Sequence, residues 1–337
     1  MEKYIHLFEN ESDYNAARSN GYKEPWVSAT NIGEVANPSY RVNYNKSEEE
    51  KLLGTPLTFE ITSAGNIVWK ANNTAYTVTL EYSKNGGEWS GITSTTGGTS
   101  ISVSAGDTIQ FRCGTDDGYA TMSSSSSRYN TFSGTTAGFK VKGNIMSLLS
   151  KDNFATADTL QSAYTFAYLL QDCTGLVDAS KLILPATTLA ERCYNAMFSS
   201  CRNLTTAPEL PATTLTQYCY SGMFSYTSLT AAPELPATTL DGYCYAYMFS
   251  NCTGLTTAPE LPATTLAPGC YGFMFSWSTS LNYIKAMFTT TPSSSYTYNW
   301  VSGVASSGTF VKNSAATWTT TGDNGIPNGW TVETAAS

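Results

Sequence analysis

The sequence predicts a multidomain α+β protein: a small N-terminal segment, a β-sandwich, a short repeat solenoid and a C-terminal cap. Three observations carry that expectation. The phrase Leu-Pro-Ala-Thr-Thr-Leu occurs four times, starting at Leu184, Leu210, Leu235 and Leu261. Before it, from about 55 to 145, short alternating apolar–polar runs are broken by Gly and Asn. After it comes a tail holding Trp300, Trp318 and Trp330. The expected domains are 1–50, 51–145, 146–290 and 291–337.

Composition narrows the function classes. Charged residues are only 13%, and 18 basic against 26 acidic residues give a net charge of −8. No Lys/Arg cluster stands out, which argues against nucleic-acid or anionic-membrane binding. No run approaches the roughly 20 apolar residues of a membrane span. The N-terminus lacks the apolar core of a secretory signal, so assembly inside a cell into an exported particle is the expectation. Seven of the eight cysteines lie in the repeat region, no CxxC pair exists, and His6 is the only histidine. No zinc site of the usual spacing and no Ser-His or Cys-His nucleophile pair is expected, and no cofactor is implied.

In the first fifty residues, Tyr4–Phe8, Glu24–Ser28 and Arg41–Asn45 read as short strands. Ser12 can cap a short helix over 12–18. So few apolar side chains make a poor independent core. The segment is therefore expected to dock on a partner or on copies of itself, with an ordinary N-terminal cap as the alternative.

The middle region reads as hairpins. Leu57–Ile61, Ile67–Trp69, Thr77–Tyr82, Ser100–Val103, Thr108–Phe111 and Phe139–Lys142 alternate, and Asn85-Gly86 and Ala105-Gly106-Asp107 supply turns. Such spacing predicts a sandwich. Trp69, Tyr82, Trp89 and Tyr119 are read first as packing residues and second as sugar-stacking rings. Asp116-Asp117-Gly118 lacks the further acid of a calcium loop, and Ser123–Ser127 is read as a mobile loop.

The repeats start 26, 25 and 26 residues apart, a period typical of solenoids whose units bury their apolar faces against neighbours. In the first full unit Leu189, Cys193, Met197 and Cys201 recur every four residues, read as one stripe of a helix capped by Thr187 or Thr188. Leu204–Leu210 is read as extended, because Pro208 cannot sit inside a helix. One helix and one strand per unit fit a leucine-rich-repeat plan, with strands stacked into a parallel sheet. Thr227 and Ser278 replace the second cysteine of other units, so a disulfide in every coil is excluded and buried free thiols are expected. Glu209, Glu234 and Glu260 recur at one position. They are read as a solvated acidic edge, with a cation-bridged ladder as the alternative; neither is a catalytic pair. Constant positions build the scaffold, so recognition is expected where units differ, as at Glu191-Arg192, Gln217-Tyr218, Asp241–Tyr243 and Pro268-Gly269. Tyr218, Tyr226, Tyr243 and Trp277 are the candidate ligand contacts there, and the recurring Glu209, Glu234 and Glu260 are further candidates. No catalytic and no metal-ligating residue is assigned.

The phrase Met-Phe-Ser-x-Cys-x-x-Leu-Thr, clearest at Met248–Thr256, resembles the BspA-type leucine-rich repeats of bacterial and phage surface proteins. His6-Leu7-Phe8-Glu9, Asn15–Arg18, Glu24–Ser28 and Val42–Asn45 resemble the N-terminal segment of virion structural proteins in gut Bacteroidota phages. The resemblance implies adhesion without catalysis and a place on the virion surface. Virion anchoring would then fall to His6, Leu7, Phe8, Pro25, Trp26, Val27 and Tyr44. Implied partners are a capsid or other virion protein and a host glycan. A homo-oligomer is also implied, with three copies by analogy to fibres, although no heptad segment specifies the number. A head fibre or decoration protein is the first expectation. A tail-fibre receptor-binding protein and a bacterial surface adhesin are the alternatives, and a fibre-borne depolymerase is the enzymatic one.

In the tail, Asn299–Val304 reads as a short helical turn, Gly308–Lys312 as a strand, and Gly325–Val332 as a turn and the final strand. They are expected to cover the last coil, which otherwise exposes an apolar face and a strand edge. Trp300, Trp318 and Trp330 are read as core of that cover rather than as a ligand platform.

Overall fold

The computed structural model describes residues 48–114 and 122–335. The anchoring candidates His6, Leu7, Phe8, Pro25, Trp26, Val27 and Tyr44 lie outside these residues, as does Tyr119. From Leu52 onward the chain forms one compact unit.

After a short helix α1 (Glu48–Leu53) come nine strands: β1 (Leu57–Ser63), β2 (Gly65–Ala71), β3 (Thr79–Lys84), β4 (Ser90–Thr93), β5 (Thr99–Val103), β6 (Thr108–Cys113), β7 (Ser123–Ser125), β8 (Arg128–Thr131) and β9 (Gly138–Asn144). A tenth, β10 (Leu176–Ile183), follows. Two sheets result, ordered β10-β9-β1-β6-β3-β4 and β5-β2-β8-β7. Alternation places Phe59, Phe111 and Phe139 of the first sheet inward, where Phe59 and Phe111 meet Phe132, and Trp69 of β2 packs on Phe132. Trp69 is fully buried and its indole N–H donates to Val78 O at 2.9 Å. Trp89 lies under the Arg112 guanidinium at 4.0 Å. The packing reading thus holds for Trp69, and Tyr82 packs half-buried against the same core, while Trp89 is half-buried. The serine run is not simply a loop, because Ser123–Ser125 pairs with β8.

β9 and β10, on either side of residue 145, are parallel neighbours in one sheet. Backbone amides of Met122, Phe132 and Phe139 also donate to Thr165, Leu169 and Gly175. The sheet region thus hydrogen-bonds directly to the first unit of the repeat region.

The helix expected in each repeat is absent, which corrects the α part of the expected class: the fold is β-rich. In its place is a four-residue rhythm of turns. Arg192, Ala196 and Ser200 have positive φ, as do Tyr218, Gly222 and Tyr226, then Tyr243, Tyr247 and Asn251, then Gly269, Phe273 and Trp277. Amides at alternate residues bond within the unit, as Cys193→Ala190 O, Asn195→Arg192 O and Met197→Tyr194 O. The intervening amides reach the next unit, as Arg192→Gln217 O, Tyr194→Cys219 O, Ala196→Ser221 O and Phe198→Met223 O. Every amide of the segment is thereby satisfied without a helix, as buried backbone requires. The left-handed conformation costs an L-residue roughly 1–2 kcal/mol, which the inter-unit ladder offsets. The extended segments such as 204–210, expected to build a parallel sheet, form no continuous ladder among the described residues; isolated bridges join Asp178 to Thr206 and Thr257 to Tyr283.

Two of every four residues point inward. Cys193, Tyr194, Met197 and Phe198 are fully buried, and their counterparts stack unit on unit. Tyr194, Tyr220, Tyr245 and Tyr271 form one column with 5.7–6.1 Å between ring centroids. Phe198, Phe224, Phe249 and Phe275 form another at 5.4–5.9 Å. The seven cysteines of the repeat region are free thiols, and all eight cysteines are buried. The substitutions at the second cysteine position now have a reason. Cys201 and Cys252 donate S–H to the carbonyls of Leu170 and Phe224, Thr227 donates O–H to Phe224 O, and Ser278 donates to Phe249 O. The position needs a small donor for a buried carbonyl, and three residue types supply it.

The chain ends in three parallel strands, β11 (Tyr283–Ala286), β12 (Thr309–Lys312) and β13 (Thr331–Thr334). Trp300 is buried against Tyr271, Phe275, Phe288 and Phe310, and Trp318 stacks on Phe288 at 5.2 Å. Trp330 donates its indole N–H to Ala305 O. All three are core, as expected.

The turn rhythm makes a prediction of opposite sign to a helix. Ala196→Gly is expected to raise stability by about 1 kcal/mol, because glycine adopts positive φ without strain. In a helix interior the same change would lower stability by roughly 0.5–1 kcal/mol. The shift of the urea midpoint reads the sign.

Candidate functional site

The positive-φ side chains project from the turn face, one row for each of the three turn positions. Inter-unit hydrogen bonds fix the order along each row. The first row runs Tyr164, Arg192, Tyr218, Tyr243, Gly269. The Arg192 guanidinium lies 4.1 Å from the Tyr218 ring centroid and 5.4 Å from that of Tyr164, and it pairs with Glu191. Tyr218 and Tyr243 stack at 4.8 Å and 3°. The second row runs Tyr168, Ala196, Gly222, Tyr247, Phe273, Asn299. Tyr129 of β8 covers Tyr168, Tyr247 stacks on Phe273 at 4.5 Å and 9°, and Tyr298 meets Phe273 edge-on. The third row runs Asp172, Ser200, Tyr226, Asn251, Trp277, Gly303.

Tyr226, Tyr243, Tyr247 and Trp277 are exposed, and Tyr164, Tyr168, Tyr218 and Phe273 are half-buried. Tyr226 and Tyr247 are 46% exposed and Trp277 59%, whereas the buried tyrosine column is at most 1% exposed. An exposed cluster of large aromatics is a feature to explain, unlike scattered apolar residues. Stacking orders the rings beforehand, so a ligand would find them already oriented. Aromatic faces combined with phenol hydroxyls suit a ligand that is apolar on one face and polar at its edge.

Of the residues expected at the site, Tyr218, Tyr226, Tyr243 and Trp277 all stand on this one face. Arg192, at a variable position of the sequence, stands there too, and the structure adds Tyr247 and Phe273. Tyr247 and Phe273 sit four residues after Tyr243 and Gly269, so the four-residue period itself was the signal for them. Glu209, Glu234 and Glu260 belong to the other segment of each unit, and all are exposed. Glu260 pairs with Lys285 at 2.8 Å, which holds the lysine pKa above its ordinary value. Among the described residues no group of three or more His, Cys, Asp or Glu side chains can hold a metal. No helix there is long and apolar enough to cross a membrane.

Fold and face together define a β-rich repeat protein with an ordered aromatic surface. Comparison with protein-family models, curated proteins and solved structures gives no match.

Proposed function

We propose that this chain is a non-enzymatic display protein whose repeat region, read as a short leucine-rich-repeat-like solenoid closed by its tryptophan-bearing cap, recognises a glycan on a host surface or in mucus. The observation that carries this reading is the pre-stacked aromatic face at positions that vary from unit to unit. The constant positions are buried scaffold, so the variable ones are free to set specificity. The N-terminal segment is read as the virion anchor of a head fibre or decoration protein, on its resemblance to phage structural proteins. The sandwich is read as the spacer. A tail-fibre receptor-binding protein or a bacterial adhesin would use the same face.

The full chain applied to an array of bacterial surface glycans and mucin oligosaccharides is expected to bind a defined subset. Trp277→Ala should weaken that binding about tenfold, or ~1.4 kcal/mol, the order of loss expected on truncating one aromatic anchor of a binding surface. Binding of no glycan would remove the recognition reading. Mass spectrometry of purified virions tests the anchoring reading separately.

A further inference from the structure

The middle row is interrupted. Tyr129 covers Tyr168 at one end, and Phe273 covers one face of Tyr247 toward the other. Between Tyr168 and Tyr247 stand only Ala196 and Gly222. In the same two units the neighbouring rows carry Arg192 and Tyr218 on one side and Ser200 and Tyr226 on the other. Alanine and glycine thus floor a gap, here called the dish, whose neighbouring positions are Tyr168, Tyr247, Arg192, Tyr218, Ser200 and Tyr226.

Packing within the protein does not demand this gap. A methyl group on Gly269 would meet the Tyr243 ring at 2.4 Å, and one on Gly303 would meet the Trp277 ring at 2.9 Å. Those glycines lie beneath a neighbour's ring. On Gly222 the nearest atom to such a methyl is Ser225 Oγ at 3.8 Å, so the space above it is open. Backbone conformation does not demand it either. Tyr168 and Tyr247 adopt φ of 64° and 59° at the equivalent positions, beside 63° for Gly222. The row therefore tolerates tyrosine where it has glycine, and among the described residues no ring stacks on the Tyr247 face turned toward Gly222.

The chemistry of the dish selects its occupant. Its floor carries no charge, Arg192 is paired with Glu191, and the Arg202 guanidinium lies toward the Tyr226 ring at 5.9 Å. A cationic ligand gains nothing there, and an anionic one would meet only the Arg202 charge at the edge beside Tyr226. An apolar peptide needs a continuous greasy groove, but here the rings are separated by Ala, Gly and Ser. A pyranose ring matches both features: its C–H face suits the electron-rich face of an aromatic ring. Its hydroxyls can pair with the tyrosine phenols and Ser200 at the rim.

We propose that the free face of Tyr247, above Gly222, is the stacking platform for one pyranose ring of a neutral glycan, with Ala196 leaving room for the glycan chain to pass. This rests on the glycan-recognition reading and narrows it to one place and one charge class. The test is native affinity electrophoresis of the full chain through gels containing amylopectin, mannan, galactan or xylan. Three variants accompany the wild type. Gly222→Tyr fills the dish, Tyr247→Ala removes the platform, and Gly222→Ser is a small residue already used at the equivalent backbone conformation by Ser200. Wild type and Gly222→Ser should be retarded by at least one polysaccharide, with apparent affinity at least tenfold lower for Gly222→Tyr and Tyr247→Ala. Thermal melts confirm that each variant is folded, and Tyr247→Ala decides alone if Gly222→Tyr is not. Undiminished retardation of a folded Gly222→Tyr or Tyr247→Ala overturns the platform and leaves glycan recognition standing. A wild type retarded by none of the four overturns the platform as a site for neutral polysaccharide, while the array of acidic and mucin glycans separately judges the broader reading.

Discussion

Phe224→Ala is expected to destabilise the protein by about 3–5 kcal/mol, the range for removing a fully buried aromatic ring. Phe224 has no exposed surface, and its ring is stacked between Phe198 at 5.4 Å and Phe249 at 5.9 Å. Two features keep the cavity from collapsing. The Phe224 amide donates to Met248 O at 3.0 Å, and its carbonyl accepts from Thr227 Oγ1 and Cys252 Sγ. Closing the gap would pull neighbouring units together along a direction the ladder already fixes. The loss therefore falls at the high end for a core with little freedom to relax. Guanidinium titration followed by far-ultraviolet circular dichroism measures it. A loss under 1 kcal/mol would mean that the phenylalanine column does not hold the units together.

The second large effect is alkaline unfolding. Burial raises the thiol pKa values, to about 12 for Cys219 and Cys270 and about 11 for Cys252, from an ordinary value near 9. Burial also pushes Cys193, Cys244, Tyr220, Tyr245 and Tyr271 upward. The sign follows from which state keeps its protons. Below pH 9 the thiols are protonated folded or unfolded, and their contribution to stability is fully present. Above pH 9 the unfolded chain ionises first, and stability is lost until pH passes the folded value. Each of the three thiols then removes about 2–3 kcal/mol between pH 9 and 11. Together they rival the 5–15 kcal/mol that holds a typical domain. Stability should be flat from pH 6 to 8 and collapse above pH 10, in reducing buffer. Cys219→Ala should soften the alkaline slope relative to wild type. Repeat-region thiols that ionise near pH 9 while the chain is still folded would contradict the burial argument.

How much was legible differs between the two halves of the problem. The hairpins were legible because a strand alternates with period two and its turns carry Asn-Gly or Gly-Asp, both local properties. The inward register of β1, β2, β6 and β9 followed directly. The repeat length and the buried identity of Cys193, Met197 and Phe198 were also legible. The helix was misread, although the sequence held a warning. A stripe recurring every four residues drifts about 40° per step on a helix of 3.6 residues per turn, so over Leu189, Cys193, Met197 and Cys201 it leaves the face it started on. A period of four suits a chain that turns once every four residues instead. The same period would have drawn Tyr247 and Phe273 into the candidate site.

By itself the sequence determined the alternation of strands, the 25–26-residue unit, the free thiols and four aromatics of the exposed face, because each depends on spacing along the chain. Only the tertiary structure decided the rest. Whether an amide bonds to its own turn or to the next unit depends on a partner about 25 residues away. That choice replaced the helix by a ladder. It also lined up Tyr168, Ala196, Gly222 and Tyr247, scattered through four units of sequence, into one row with a gap. The gap is a relation between neighbours in space, and spacing along one unit does not contain it.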